Sequence, residues 1–109
     1  VIILVFKIRK LSMIYTNCAS LLPLASYCYN VLGLKGAIHI EVADIDTDGY
    51  CYEDGLIEIS NKLKNKGIAL CHEMVHCYQY QNNGYADEEE AYRLETKLYH
   101  KEYNDIRRV

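Results

Sequence analysis

Residues Ile68 to Tyr78 read IALCHEMVHCY, an oily run interrupted only by His72, Glu73 and His76. An apolar run of this length reads as a helix buried on nearly every side, since a helix apolar all round has no face suited to water. Ile68, Cys71, Val75 and Tyr78 form one ridge, with Leu70, Met74 and Cys77 alongside. The helix is therefore a core element, and its three polar residues must find partners, because unpaired polar groups are expensive to bury.

The helix runs on to about Gln81, where NNGYAD breaks the chain. Ser60, Asn61 or Asn65 can each cap its start, and Gly67 weakens the earlier choices. Upstream, Ala37 to Val42 (AIHIEV) and Gly55 to Ser60 (GLIEIS) alternate as half-buried strands do, and ADIDTDGYCYEDG between them reads as a turn or hairpin loop. Before these, Thr16 or Asn17 can cap a helix towards Leu32, with Pro23 disturbing an early turn and Gly33 supplying the stop. Asp87 caps a last helix through roughly Tyr103. The apolar, β-branched Val1 to Phe6 reads as an edge strand or as part of a mis-assigned start, since the first Met is Met13. The order predicts a single α+β domain over residues 1–109, with an N-terminal helix, a small sheet and a terminal helix hairpin.

The 109 residues include one Pro and are 50% hydrophobic. A chain of this size buries roughly two-thirds of its unfolded surface in one core. A net charge of −3, with Lys and Arg scattered, offers no basic face for a run of phosphates, so nucleic acid is not an expected partner. The N-terminal apolar run is too short to span a bilayer, and its charges Lys7, Arg9 and Lys10 follow it, unlike those of a signal peptide. Five cysteines without a CxxC pair (Cys18, Cys28, Cys51, Cys71, Cys77) predict buried thiols and a reducing, cytoplasmic setting.

On a helix His72 and His76 stand one turn apart, about 6 Å along the axis, on one face. Two imidazoles so placed can hold one divalent metal, and Glu73 lies to the side, where a carboxylate reaches a water without being a ligand. This is the HExxH arrangement. A catalytic zinc usually takes three protein ligands and keeps one position for water. The third ligand is expected from DEEEAYRLE, which opens the next helix a short loop away. Acids in a first turn also suit the helix dipole, and Asp87 with Glu90 fits a capping box. With Ala91, Leu94 and Leu98 as the buried stripe, Glu89 points away while Glu88, Glu90 and Glu95 flank the stripe, leaving three candidates.

HEMVH followed by EEEAYRL resembles the gluzincin metallopeptidases, whose second helix carries a Glu ligand in an ExxA pattern. The resemblance covers Ile68 to about Leu98. It implies Glu88 as the third ligand, small Ala91 as the point of close helix approach, and a minimal zincin-like fold. Tyr92 stands where the family carries Asp or Asn, and the eleven residues between His76 and Glu88 are a shorter span than in most members. DGLIEIS likewise resembles the edge strand that holds substrate in such enzymes. The implied function is a zinc metalloendopeptidase with one Zn2+ per chain. Glu73 would act as general base on a zinc-activated water, and a peptide or protein substrate would lie along Gly55 to Ser60.

Two other readings stand beside this one. A peptide-deformylase-like hydrolase would use Cys51 as a ligand, though that family's Gly-rich motif is missing. A metal-stabilised, latent protein-binding module would cleave nothing. An oxyanion donor is open among Tyr85, Tyr92, Tyr99 and His100. His39, alternating with Ile38 and Ile40, reads as a solvent-facing strand residue, and Cys71 and Cys77 read as packing residues turned away from the histidines.

Overall fold

The computed structural model describes residues 13–108, with side chains to residue 100, so the expected strand Val1 to Phe6 lies outside the described residues. Asn65 settles the start of the central helix. Its side chain accepts hydrogen bonds from the backbone N–H of Gly67 and Ile68, and helix α2 spans Lys66–Asn82. Gly67 is required here by packing, because a Cβ would come within 2.8 Å of the Tyr99 ring. Every residue from Leu70 to Cys77 is buried.

What covers α2 is an α+β arrangement, as expected. Among the described residues the elements before it are β1 (Ile14–Thr16), a short 3-10 turn (Ala19–Leu21), α1 (Leu22–Val31), β2 (Ile38–Ala43), β3 (Gly49–Cys51) and β4 (Leu56–Ser60). Helix α3 (Glu88–Arg108) follows it. Helix α2 packs against α1 on one side, α3 on another, and the β3–β4 end of the sheet beneath. The strands send Ile38, Ile40, Ile57, Ile59 and Cys51 into this core. His39 and Tyr50 are exposed on the opposite face, so the solvent-facing reading of His39 holds.

The sheet has order β1-β2-β4-β3, with β1, β2 and β4 parallel and β3 antiparallel to β4. Two expectations are corrected here. The stretch ADIDTDGYCYEDG is not wholly loop, because Gly49–Cys51 within it forms a strand, with Cys51 turned into the core and Tyr50 out. The hairpin is therefore β3–β4, and β2 and β4 are parallel neighbours. The strand at Gly55 to Ser60 is also not an edge. It pairs with β2 through His39↔Leu56 to Ala43↔Ser60 and with β3 through Gly49↔Ile59 to Cys51↔Ile57. Its main-chain groups are used on both sides, and β3 is the outer strand.

At the N-terminal end, α1 begins later than Thr16 or Asn17. Thr16 Oγ1 accepts from the N–H of Cys18, and Asn17 instead extends the sheet, donating to the Val42 carbonyl and accepting from the Val42 N–H. With the α-helix starting at Leu22, Pro23 falls in the first turn, where its missing N–H costs nothing. No helix among the described residues is long and apolar enough to cross a membrane.

The β3–β4 turn closes at Gly55, whose φ of 96° lies in the left-handed region, and a Cβ there would sit 2.7 Å from the Ala37 carbonyl oxygen. Gly55→Ala should destabilise the fold by about 1–3 kcal/mol in urea unfolding. Gly36→Ala, also at positive φ but into open space, should cost less. Equal losses at the two positions would show that the carbonyl contact does not matter.

Candidate metal centre

His72, Glu73 and His76 are 8%, 6% and 7% exposed, so the polar residues of the oily helix are buried with it. The short connector after α2 turns the chain back and sets the first turn of α3 beside them, with Ala91 fully buried at the approach. His72 Nε2 is 3.1 Å from His76 Nε2 and 3.1 Å from Glu88 Oε1, and His76 Nε2 is also in contact with Glu88 Oε1. These three donor atoms form a group able to hold a metal ion. A tetrahedral ion at normal zinc bond lengths separates its ligand atoms by roughly 3.4 Å, which the two separations from His72 Nε2 approach and the closer His76–Glu88 contact does not.

The other ring nitrogens explain why a cation fits. His72 Nδ1 lies 2.9 Å from Glu95 Oε2, and His76 Nδ1 lies 2.8 Å from Gln79 Oε1. Both partners are acceptors, so each Nδ1 carries the hydrogen and each Nε2 presents a lone pair. The orientation of Gln79 is fixed independently: its Oε1 also accepts from the Asp87 N–H, while its Nε2 donates to the Asp87 carbonyl and to Glu90 Oε1. In that tautomer two imidazole lone pairs and a carboxylate oxygen converge, a set that could hold a divalent cation.

Gln79 joins the two helices at this point. It is fully buried, holds His76, and grips the backbone just before Glu88. It also takes over half of the expected capping box. Asp87 Oδ1 does accept from the Glu90 N–H, but the Glu90 carboxylate turns to Gln79 and the Asp87 N–H is satisfied by Gln79 as well.

Glu73 sits beside the three donors without joining them. Strand β3 approaches it closely at Gly49, where a Cβ would come within 3.1 Å of Glu73 Oε2 and equally near the Glu58 carbonyl oxygen, so only glycine leaves the carboxylate its place. Burial, with the Glu88 and Glu95 charges adding to it, pushes the Glu73 carboxyl up to about 7, against a lowering by His76. Partial burial also raises Glu88, but its interactions with His72 and His76 outweigh that and hold the carboxyl below its ordinary range. The two neighbouring carboxyls thus differ, Glu73 partly protonated near neutral pH and Glu88 held ionised. His72, Glu73, Glu88, Tyr92 and Glu95 line a cleft of about 580 Å³, and a second pocket of about 230 Å³ runs between β3 and the histidines.

Of the three carboxylates expected as candidates, Glu88 meets both histidines, Glu95 supports His72 from behind, and Glu90 is bound to Gln79. Glu95, nearly one turn beyond Tyr92, is the residue bonded to His72 Nδ1, and the Tyr92 ring packs against His72 at 4.6 Å. Cys51 is not drawn to the donors, since its sulfur contacts that of Cys77, and Cys71 and Cys77 are buried in packing as expected. Of the candidate oxyanion donors, Tyr92 alone lines the cleft, Tyr85 is exposed, and Tyr99 and His100 pack together along α3. Gln79 was not among the expected site residues. Its signal is that it is the next polar residue of the oily helix, three places after His76.

Replacing Gln79 or Glu95 with Ala should weaken zinc binding by roughly 10- to 100-fold in competition with a chelating dye, and Glu88→Ala by more. Glu89→Ala, on the exposed side of α3, should leave it unchanged. For Glu73 the sign of the linkage follows from its raised value. The metal-free fold gains stability from its proton below about 4.5 and loses it as pH rises to about 7. Between about pH 5 and pH 8, metal-free wild type should lose on the order of 2 kcal/mol relative to Glu73→Gln. Parallel stability curves would place Glu73 in water rather than in a desolvated pocket.

Comparison with protein-family models, with curated proteins and with solved structures gives no match.

Proposed function

We propose that this chain is a zinc-dependent metalloendopeptidase of gluzincin type. The observation that carries the reading is the convergence of His72 Nε2, His76 Nε2 and Glu88 Oε1 on one point, with the Glu73 carboxylate beside it at the wall of an open cleft. Two imidazoles and one carboxylate form a set that zinc favours, with a fourth position left for water. Zinc held there supplies Lewis acidity toward a water and a substrate carbonyl.

The chain's own residues do the rest. Glu73, held near 7 by burial, accepts the proton of the attacking water and returns it to the leaving amine. Glu95 and Gln79 keep both imidazoles in one tautomer and one orientation, so that neither ligand has to reorganise. The substrate chain lies along the outer edge of β3, Gly49–Cys51, in place of the inner strand at Gly55 to Ser60. Gly49 and Cys51 border the pocket that also contains His72, Glu73 and His76, so a peptide adding to that edge passes the ligands. The accessible cleft favours this reading over a latent binding module.

The full chain loaded with one equivalent of zinc should cleave an unfolded protein substrate. Glu73→Gln should keep its zinc and lose at least about 10²-fold in rate. Zinc-loaded wild type that leaves such substrates intact, or a Glu73→Gln chain that cleaves as well as wild type, would overturn the proposal.

A further inference from the structure

Four of the five cysteines meet in pairs, and the pairs differ. Cys28 and Cys71 face each other between α1 and α2 with their sulfurs 3.7 Å apart, an ordinary non-bonded contact. Cys51 and Cys77 face each other between β3 and α2 at 2.9 Å, closer than non-bonded sulfurs settle and approaching the bond length of about 2.05 Å. Both residues of the second pair are buried, at 4% and 3% exposed. Each nevertheless lines a surface pocket: Cys51 that of about 230 Å³ beside the histidines, and Cys77 one of about 190 Å³ near Gln81 and Gly55. A small oxidant therefore has a route to either sulfur.

We infer that Cys51 and Cys77 are a disulfide-forming pair that fastens the outer strand of the sheet to the helix carrying both histidines. With hydrogen peroxide as oxidant, one thiolate attacks the peroxide, the O–O bond breaks, and a sulfenic acid and hydroxide result. The second sulfur attacks that sulfenic sulfur, the S–O bond breaks, and water leaves with the remaining proton. Overall two thiols and one peroxide give one disulfide and two waters, the sulfurs being oxidised and the peroxide reduced. The bond joins residues 26 apart in sequence and closes a loop that contains the β3–β4 turn, β4 and the first two-thirds of α2. It leaves the fold otherwise intact, because the two sulfurs already meet across packed elements.

The consequence is local to the site. Cys51 ends the strand whose Gly49 presses on Glu73, and Cys77 directly follows His76. Oxidised, strand and helix move as one body; reduced, the strand is held by hydrogen bonds to β4 on one side only. This inference stands on the sulfur geometry and does not depend on the site being a peptidase.

The test is non-reducing peptide mapping by mass spectrometry of the full-length Cys18→Ser chain, which removes the partly exposed thiol and leaves four cysteines. The folded protein is treated with one equivalent of hydrogen peroxide, then denatured and capped with N-ethylmaleimide. The expected result is loss of two of the four capped thiols, with a single linked peptide pair joining Cys51 to Cys77. A further Cys28→Ser change should leave that linkage in place, and a further Cys77→Ser change should abolish it. Four capped thiols after oxidation, a linkage through Cys28 and Cys71, or oxygenated sulfur without a cross-link would each overturn the inference.

Discussion

Two imidazole nitrogens face each other across 3.1 Å inside the protein, and the opposite nitrogen of each ring meets a fixed acceptor. That constraint governs the rest of the structure. Lone pairs held so close in a poorly solvated place repel, and a positive charge between them, whether a shared proton or a metal ion, relieves that repulsion. The Glu88 carboxylate completes the set and contributes the negative charge that a dication needs. Everything that fixes these atoms is bound up with how the helices meet.

Gln79 shows how little material this takes. One amide side chain orients His76, satisfies the N–H and carbonyl of Asp87, and receives the Glu90 carboxylate, so the same residue sets a ligand and the entry of the helix that brings Glu88. Glu95 does the equivalent for His72 from further along that helix. From the other side, β3 closes on Glu73 through a glycine, which gives the carboxylate a desolvated position without filling it. Helix α2 carries His72 and His76 at under a tenth exposure because their ring nitrogens meet Glu88, Glu95 and Gln79, while the burial of Glu73 is expressed in its raised carboxyl.

Much of this was legible in the sequence. The oily run around HEMVH implied a buried central helix, and the one-turn spacing of His72 and His76 placed both on one face. The choice among Glu88, Glu90 and Glu95 was not settled by periodicity, since all three flank the stripe of Ala91, Leu94 and Leu98. It depends on the height at which α3 docks, which the Gln79 bridge to Asp87 sets. Strand β3 was obscured because GYC lies in a stretch rich in Asp and Gly, which local propensity reads as turn. Its place at the edge comes from long-range pairing with β4. The parallel pairing of β2 and β4 was hidden for the same reason: with β3 unrecognised, a hairpin was the simplest link between two short alternating strands. The cysteine count suggested buried free thiols, and only the packing of α2 between α1 and β3 brings four of them into two pairs.

The most direct test of the central claim is X-ray absorption spectroscopy at the zinc edge on the full chain loaded with one equivalent of the metal. Zinc held by His72, His76 and Glu88 should show a shell of nitrogen and oxygen neighbours at about 2.0–2.1 Å, with the outer-shell scattering of two imidazoles and no sulfur. A zinc–sulfur distance of about 2.3 Å, or a spectrum indistinguishable from zinc in water, would contradict it.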